Sequence, residues 1–449
     1  MSNREPSFVE CRSMTLKLEK KPQLRSTKPV KSLINSTLRI VLFINFINAL
    51  SLIALILNIY NYGKTFGLSD FQTSFLFAIY SFSQFLAAPI IGKLSDRFGR
   101  KPLLIISLAG TVLANFIVGT ANTASILFIA RFLDGITGGN ISVAQAIITD
   151  ITEPEERARA FGLFGASLGI GFVVGPLISY LTIKLSLGAP FLASSILAAI
   201  ALILTFWQLP ETLKQAAPKT GNLFDLGLGK IFTGFKIPRV GALLMVTFLT
   251  SITFGMFTFG FQAYYIKVLA QDLSSFDLLF FSFGILGAMM QTIGIKFLNK
   301  KLNAGRILLL GLLFRSICFA LMPIIPNVVY FVVVSLIFSV FNSLIQPMIS
   351  NLISLNTKPS EQGMTSGLNA AYLSIATGIG PVISALLVDR QTIESAEKLA
   401  KETGAAVNIS SYYSYGYPLY VAGICAFAVL LLAIHTRRQY NYPLNSNYN

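Results

Sequence analysis

Long apolar runs follow one another along nearly the whole chain, separated by short polar segments. A helix needs about 20 apolar residues to cross the hydrocarbon core of a membrane. The runs lack the strict alternation of barrel strands, so helices are the structure that satisfies their backbone in lipid. The pattern therefore predicts an all-α polytopic membrane protein with twelve spans. Their predicted bounds are 38–61, 71–93, 102–122, 125–149, 159–183, 188–208, 239–266, 274–297, 304–325, 328–352, 364–388 and 416–435.

The polar segment after the sixth predicted span divides the chain into two groups of six spans. It contains Pro218 and four glycines, a composition typical of a linker. A second long polar segment follows the eleventh span, and its middle, 394–402, is predicted to form a short surface helix. We predict five regions from this pattern: a tail over 1–37, a six-helix bundle over 38–208, a linker over 209–238, a second bundle over 239–436 and a tail over 437–449.

The placement of charge supports a membrane protein and predicts its orientation. Only 12% of residues are charged, against about 25% in an ordinary soluble protein. Of the 35 Lys and Arg, 27 lie on the side of the two termini, six lie on the other side, and Arg131 and Arg315 fall within spans. Because cations accumulate in cytoplasmic loops, both termini are predicted to be cytoplasmic, in a plasma or inner membrane. The net charge of +16 is thus a topology signal and does not indicate a nucleic-acid partner.

The composition contains few of the residues that form catalytic or metal sites in enzymes. There is one His, and Cys11, Cys318 and Cys425 are far apart, so a metal cluster, a Cys-His nucleophile or a disulfide framework is not expected. The chain contains no phosphate-binding loop of the Gly-x4-Gly-Lys-Ser/Thr type. We predict a protein without catalytic residues, metal or cofactor, which works as a monomer on a small molecule in the bilayer.

An internal repeat favours transport. Shifting the chain by 205 residues aligns 152–179 with 357–384 without a gap. Parallel halves of six spans are an architecture of transporters that rock two bundles around a site near the midplane. The aligned identities include Thr152/Thr357, Pro154/Pro359, Glu156/Glu361, Gly175/Gly380 and Pro176/Pro381.

The loop after the second span reads Gly92-Lys-Leu-Ser-Asp-Arg-Phe-Gly-Arg-Lys101. Gly92 suits the close approach of a neighbouring helix, Gly99 suits a positive φ, and Asp96 suits a helix cap or a pair with Arg97 or Arg100. A plain turn in a basic loop is the alternative interpretation. The loop resembles the cytoplasmic signature between spans two and three of the major facilitator superfamily. The resemblance implies two six-helix bundles of the major facilitator fold and a gating loop that latches them on the cytoplasmic side.

The fourth span contains Arg131-Phe-Leu-Asp-Gly-Ile-Thr-Gly-Gly139, which resembles the second motif of that superfamily. Asp134 follows Arg131 by three residues, so the two side chains share a helix face and can form an ion pair. Two hypotheses follow. The pair acts as a proton-responsive couple, or Asp134 only neutralises a structural Arg131, which we slightly favour because the family motif supplies the Arg but not the acid.

The fifth span matches the superfamily's antiporter motif in the spacing of Gly162, Gly171, Gly175 and Pro176. Gly165 and Gly169 form a further pair that suits close helix packing, and Pro176 suits a hinge. Plain helix packing is the alternative. Pro210-Glu-Thr-Leu213 resembles a signature of drug exporters after their sixth span. The stretch from Arg131 to Leu213 is most similar to the tetracycline/proton antiporter branch.

One departure from that branch concerns the coupling group. Those exporters use acidic residues in their first and ninth spans, where this chain has asparagines and Arg315. The difference argues against tetracycline itself as the substrate. It also leaves Asp134, Asp96, Asp70 and Asp150 as the candidates for a carboxylate that carries protons.

The spans that line the central cavity in this superfamily are the first, fourth, seventh and tenth. Their amides are candidate substrate contacts, because lipid penalises a polar side chain. Each is also a candidate for an ordinary hydrogen bond between helices. Amides with little fixed charge suit a neutral or amphipathic solute. The candidates are Asn45, Asn48, Asn140, Gln145, Gln262, Asn342 and Gln346.

These observations predict a secondary active exporter of small hydrophobic organic compounds or drugs, driven by proton exchange through alternating access. A metabolite or nutrient carrier of the same fold, by symport or facilitated diffusion, is the first alternative. A receptor or scaffold that moves no solute is an alternative of another class. Enzymatic catalysis ranks last.

Overall fold

The computed structural model describes residues 36–213, 233–357, 362–388, 390–403 and 409–440. Within these ranges twelve helices are long and apolar enough to cross a membrane. We number them span 1 to span 12 in chain order. Their ends agree with the predicted bounds to within a few residues, which confirms the predicted fold class. The spans are Ser36–Thr65, Asp70–Phe98, Arg100–Gly119, Ala124–Ile151, Arg159–Thr182, Ala189–Gln208, Gly241–Lys267, Leu273–Asn299, Ala304–Leu321, Val328–Leu355, Gly367–Leu386 and Tyr413–Thr436.

Polar caps fix where several spans begin. Ser69 and Gln72 form a reciprocal capping box at the start of span 2. Asp272, Asn303 and Asn327 each accept a backbone N–H through the side chain at the starts of spans 8, 9 and 10. These short polar side chains supply the partners that the first turn of a helix lacks within itself.

Two spans are interrupted. Span 4 consists of the helices Ala124–Thr137 and Asn140–Ile151, which meet at Gly138 and Gly139. A side chain at Gly139 would collide with Ile91 of span 2, so only glycine fits there. Span 8 contains a π-helical turn over Met290–Gly294. Such turns are local departures from helix geometry that occur often at functional sites.

Span 5 packs on span 1, and span 11 packs on span 7, in the same way in the two halves. A Cβ at Gly175 would lie 2.8 Å from Ile53 Cγ2, and one at Gly380 would lie 2.6 Å from Gly255 Cα. Gly175 and Gly380 are the residues that the 205-residue shift superimposes. The internal repeat therefore corresponds to a repeated contact between helices that requires glycine.

The outer surface of the helices is apolar. Trp207, Val329 and Ile424 are 75%, 72% and 70% exposed, and many more large apolar side chains are exposed along the spans. A water-facing surface rarely carries apolar area of this extent. Lipid is the solvent that suits it.

We call the end where span 1 begins and span 6 ends the linker end, and the opposite end the far end. At the far end the helix Arg390–Thr403 lies between spans 11 and 12, which confirms the predicted surface helix. The predicted tails over 1–37 and 437–449 and the linker over 209–238 lie largely outside the described residues, so the regional boundaries stay predictions.

Candidate functional site

The predicted gating loop lies at the linker end but is mostly helical, because residues 92–98 continue the helix of span 2 and only Gly99 lies between it and span 3. Gly99 separates spans 2 and 3 with φ of 108°, a conformation that favours glycine. The Arg100 side chain is buried and reaches Asp96 at 2.5 Å, Asp150 at 3.0 Å and the Ser95 hydroxyl at 2.7 Å. One guanidinium thus connects the end of span 2 with the end of span 4. Asp96 keeps about half of its side chain exposed.

Glu211 completes this cluster from beyond span 6. Its carboxylate accepts the backbone N–H groups of Arg100 and Lys101 at 2.9 and 3.1 Å, at the start of span 3, and those of Thr212 and Leu213. Partial burial acts to raise the pKa of the Glu211 carboxyl, but the four donors together hold it below its ordinary value. The Pro-Glu-Thr signature is the sequence signal for this residue, but the signature does not indicate its partners in span 3.

Two other residues of the predicted gating loop, Gly92 and Arg97, lie outside this cluster of hydrogen bonds and ion pairs. A Cβ at Gly92 would meet no described atom within 4 Å outside its own helix turn, so close approach of a neighbouring helix does not explain this glycine here. The Arg97 guanidinium lies over the ring of Phe98, 5.4 Å from its centre.

In span 4, Arg131 and Asp134 form a buried ion pair of 3.0 Å. The Arg131 guanidinium also lies 4.5 Å from the centre of the Tyr80 ring of span 2. Gln84 donates to the Tyr80 hydroxyl at 2.9 Å and to the Gly138 carbonyl at 3.4 Å, where span 4 is interrupted. The pair is therefore built into the contact between spans 2 and 4.

Arg315 in span 9 is equally buried but has no acidic partner among the described residues. Its guanidinium donates to the Thr250 carbonyl and the Thr253 hydroxyl, both at 2.7 Å, and to Asn342 Oδ1 at 3.3 Å. It also lies 5.1 Å from the centre of the Phe319 ring. Neutral acceptors and aromatic faces thus surround this charge.

The predicted cavity amides divide into engaged and accessible groups. Asn45 is 1% exposed and donates to the Phe164 carbonyl at 2.6 Å and to the Ser167 hydroxyl at 3.1 Å. Gln262, also 1% exposed, donates to the Leu57 carbonyl. In this conformation both are contacts between helices rather than free groups.

Of the other five amides, one is buried and four are at least partly exposed. Asn140 is buried and donates to Asn48 Oδ1 at 2.6 Å, which joins spans 4 and 1. Asn48, Gln145 and Asn342 are half-buried, and Gln346 is exposed. These half-buried and exposed side chains come from spans 1, 4 and 10, so three of the four predicted cavity helices present an amide that is not fully covered.

Gly171, Gly175 and Pro176 lie in an unbroken helix, Pro154–Thr182. A Cβ at Gly171 would collide with Ala49 and with the Phe46 carbonyl of span 1. Gly165 and Gly169, in contrast, face open space. Gly171 and Gly175 therefore allow close packing on span 1, whereas Gly165 and Gly169 do not serve helix packing.

A polar group centred on Asp70, one of the predicted candidate carboxylates, closes the far end, and its partners are not evident from the sequence. Asp70, at the start of span 2, accepts the Tyr60 hydroxyl at 2.7 Å and the Tyr415 hydroxyl at 3.0 Å, and pairs with Lys64 at 2.8 Å. Tyr415 belongs to the second half of the chain, whereas the other three residues belong to the first. We call these four residues the far-end lock.

Further contacts join the two halves nearby. The Gln262 side chain reaches the Leu57 carbonyl, and the Tyr60 ring meets the Phe259 ring edge-on with centres 5.2 Å apart. Deeper in, the hydroxyls of Ser81 and Thr377 lie 3.3 Å apart. We call the whole zone of contact, including the lock, the far-end seam.

The buried apolar residues show the same asymmetry between the two ends. At the far end one cluster contains residues of both halves, such as Leu57, Leu76, Phe257 and Phe276. At the linker end the described residues form two separate clusters, one within spans of the first half and one within spans of the second. The bundles are thus sealed together at the far end and packed independently at the linker end.

Comparison with known proteins identifies the family to which this architecture is similar. The model of the Major Facilitator Superfamily matches residues 41–381 and 243–445. The tetracycline resistance protein, class C, of Escherichia coli is 32% identical over 69% of this chain and 78% of its own length. Multidrug resistance protein 1 of Bacillus subtilis (strain 168) is 26% identical over 72% of this chain and 82% of its own.

Solved structures share the fold. A bacterial homologue of the human lysosomal transporter Spinster, in an inward-facing and unoccupied conformation, superimposes with a TM-score of 0.73. The two are 14% identical, and the match covers 94% of this chain and all of that one. The human organic anion transporter MFSD10 superimposes with a TM-score of 0.67 at 17% identity, over 90% of this chain and all of that one.

Proposed function

The chain belongs to the Major Facilitator Superfamily and is an integral multi-pass membrane transporter of small molecules; on that premise we propose that it exports hydrophobic organic compounds by proton-coupled alternating access. The observation that carries the proposal is the asymmetry between the ends, a polar far-end seam and independent packing at the linker end. This is one of the two states through which rocking bundles expose a central site to each side in turn. Relatives named for tetracycline and multidrug resistance support export.

We propose that the protein lies in the plasma or inner membrane and that its linker end faces the cytoplasm. The excess of Lys and Arg on that side supports this orientation. The conformation described is then open toward the cytoplasm, where an exporter takes up its substrate. We propose that the protein works as a monomer, because each chain already contains both bundles.

The proposed substrate class follows from the side chains of spans 1, 4, 7 and 10. Asn48, Gln145, Asn342 and Gln346 present amides, and Phe254 presents a half-buried ring. Amides orient a ligand without demanding an opposite charge, and apolar surroundings suit a hydrophobic body. A neutral or amphipathic compound fits this combination better than a multiply charged one.

The loop around Arg100 is proposed to act as the linker-end latch. Arg100 holds Asp96, Asp150 and Ser95 together in the first bundle, and Asp96 remains half exposed. An exposed carboxylate at this edge is available to the second bundle when the linker end closes. Asp96→Asn keeps the size of the side chain but removes the charge for that contact.

Efflux from cells that lack their own pumps tests the proposal. Cells producing the wild type, Asp96→Asn or Glu394→Gln are loaded with a panel of dyes and antimicrobial compounds. Efflux of each compound is then measured before and after collapse of the proton gradient. Glu394→Gln is the matched control, because it removes an exposed carboxylate from the surface helix. We expect gradient-dependent efflux by the wild type and the control, and a loss of at least tenfold in Asp96→Asn. Equal retention of every compound by cells with and without well-expressed wild-type protein would contradict export.

A further inference from the structure

Asp277 is a buried carboxyl in the seam between the two bundles. It lies one turn into span 8 and has no exposed surface. The Ser179 hydroxyl of span 5 lies beside it, and that hydroxyl in turn accepts Asn58 Nδ2 of span 1 at 2.9 Å. Asp277 therefore lies where the second bundle meets the first.

The carboxyl lacks the partners that a buried charge needs. Among the described residues no lysine or arginine nitrogen lies within 4 Å of it, and neither of its oxygens accepts a hydrogen bond of good geometry. Asn58 Oδ1 in the same group is also without a donor. An isolated carboxylate in such a site costs several kcal/mol, so the neutral acid is the stable form there.

The other titratable groups of the surrounding helices are engaged elsewhere. Asp272 acts on Asp277 electrostatically but caps the start of span 8. Tyr265 of span 7 bonds the Ser275 hydroxyl at 3.2 Å, and Tyr330 of span 10 donates to the Leu321 carbonyl at 3.0 Å.

The charged and phenolic groups of span 1 and span 2 at this end belong to the far-end lock. Lys64 and Tyr60 are both bound to Asp70. On span 5, Tyr180 lies under the Lys184 ammonium, 4.9 Å from its ring centre. A positive charge for Asp277 is thus not supplied by any of these neighbours.

The burial of Asp277 depends on contact between spans 5 and 8. A Cβ at Gly284 would stand 2.8 Å from Val173 Cα and 2.9 Å from the Phe172 carbonyl, so the two backbones lie close together. If the bundles rock apart at the far end, this contact is lost and water reaches the carboxyl. Water stabilises the carboxylate, whereas the closed seam keeps water away and favours the neutral acid.

We infer that Asp277 is a proton-binding site of the far-end seam, which holds a proton while the seam is closed and releases it when the seam opens. The inference rests on the proposed alternating access. The carboxyl O–H has the Ser179 oxygen beside it as an acceptor in the closed state. Because closing the seam takes up a proton from the far side, acid on that side favours the closed state and alkali favours the open one.

Spin-label distances across the far end test the inference without measuring transport. The three native cysteines are replaced, and labels are attached at Leu185→Cys and Ile325→Cys, two exposed positions on opposite bundles. The purified full chain is reconstituted in nanodiscs and measured between about pH 5 and pH 9. One linked proton changes the ratio of closed to open molecules by at most tenfold per pH unit.

We expect the wild type to show this opening with rising pH, and Asp277→Asn to remain closed throughout. Asp272→Asn is the control, because Asn caps a helix as well as Asp and only the neighbouring charge is lost; it should keep the pH dependence. Asp277→Leu replaces the Asn variant if the latter does not fold. A pH dependence that survives in both Asp277 variants, or that is absent from the wild type, would overturn the inference. Failure of the efflux experiment alone would instead count against the proposed function.

Discussion

Buried ionisable side chains fall into two kinds in this protein. Arg131 and Asp70 have opposite charges within 3.0 Å, whereas Arg315 and Asp277 have no ion-pair partner among the described residues. Charged groups inside a membrane protein are costly and tend to mark functional positions. The paired groups join helices, so their effect on folding must be separated from any effect on transport.

The Arg131–Asp134 pair offers a way to make that separation. Arg131→Ala leaves Asp134 buried and unpaired, a change that costs about 3–5 kcal/mol in buried pairs. We expect a large loss of folded protein for this variant. In the double variant Arg131→Met/Asp134→Leu, both charges are gone and the yield should recover.

Transport by the double variant decides between the two roles of the pair. Proton-driven efflux near the wild-type rate would show that Asp134 only neutralises Arg131. Good yield with efflux reduced at least tenfold would show that the pair takes part in coupling. Efflux and yield are measured on the same membranes, with Arg131→Ala beside them. Normal yield of Arg131→Ala would contradict the structural cost itself.

Glu211 provides a pH-dependent test of the linker-end cluster. Its pKa is lowered in the folded protein, so its stabilising effect is present above the ordinary pKa of about 4.3 and disappears as the pH falls through the lowered value. We expect Glu211→Gln to lower the free energy of unfolding by about 1 kcal/mol at neutral pH. The difference between variant and wild type should shrink below about pH 4.

Thermal unfolding of the purified protein in detergent measures this difference at each pH. Glu394→Gln is the control, since its carboxylate is exposed on the surface helix and caps no span. An equal destabilisation by Glu211→Gln at neutral and acid pH would show that the carboxylate charge is not what holds the start of span 3.

At the scale of helices, the contact of span 5 with span 1 depends on particular glycines. A Cβ at Gly171 would collide with Ala49 and the Phe46 carbonyl, whereas Gly165 on the same helix faces open space. We expect Gly171→Ala to destabilise the protein by about 1–3 kcal/mol through overpacking. Gly165→Ala should be neutral or stabilise it by up to about 1 kcal/mol, because alanine favours a helix.

The two variants are matched, because they make the same change in the same helix. Unfolding temperature and the amount of monodisperse protein report the outcome. Similar stability of the two would mean that spans 1 and 5 separate readily at Gly171, and the packing interpretation would be wrong in favour of a hinge.

The hydropathy pattern is sufficient to predict the helices but not the contacts between them. The twelve spans and the helix Arg390–Thr403 follow from apolar runs and local polarity, which is information that lies within each segment. The contact of Tyr415 with Asp70 joins residues 345 positions apart, and the contact of Gln262 with Leu57 spans 205. Neither leaves a local pattern. Asp277 does leave one, an acid within the apolar run of span 8, although the predicted coupling carboxylates are Asp134, Asp96, Asp70 and Asp150.

At the scale of the whole molecule, the far-end lock is expected to stabilise the closed state of the proposed alternating access. A hydrogen bond to a charged group contributes about 1.5–3 kcal/mol. Tyr415→Phe removes one such bond between the bundles and keeps the ring, so we expect the open fraction to rise about tenfold or more. Tyr413→Phe is the control, because that side chain is about half exposed.

The spin-label pair at Leu185 and Ile325 measures this change at a fixed pH. If Tyr415→Phe opens the far end no more than Tyr413→Phe does, the lock is not a determinant of the closed state. Opening in both variants would point instead to general loosening of the segment around residue 415.

The orientation of the molecule decides whether the conformation described here takes up substrate from the cell or from outside. The far-end cations within the described residues are largely balanced locally, since Lys64 pairs with Asp70, Lys267 with Glu397 and Lys398 with Glu402. The excess of Lys and Arg in the sequence lies on the side of the linker end, and such an excess is typical of cytoplasmic segments. In a chain without native cysteines, Leu185→Cys should therefore react with a membrane-impermeant maleimide added to intact cells. Lys301→Cys, exposed at the linker end, should react only after the cells are opened. The reverse pattern would place the linker end outside and turn the proposed exporter into a carrier that loads from the medium.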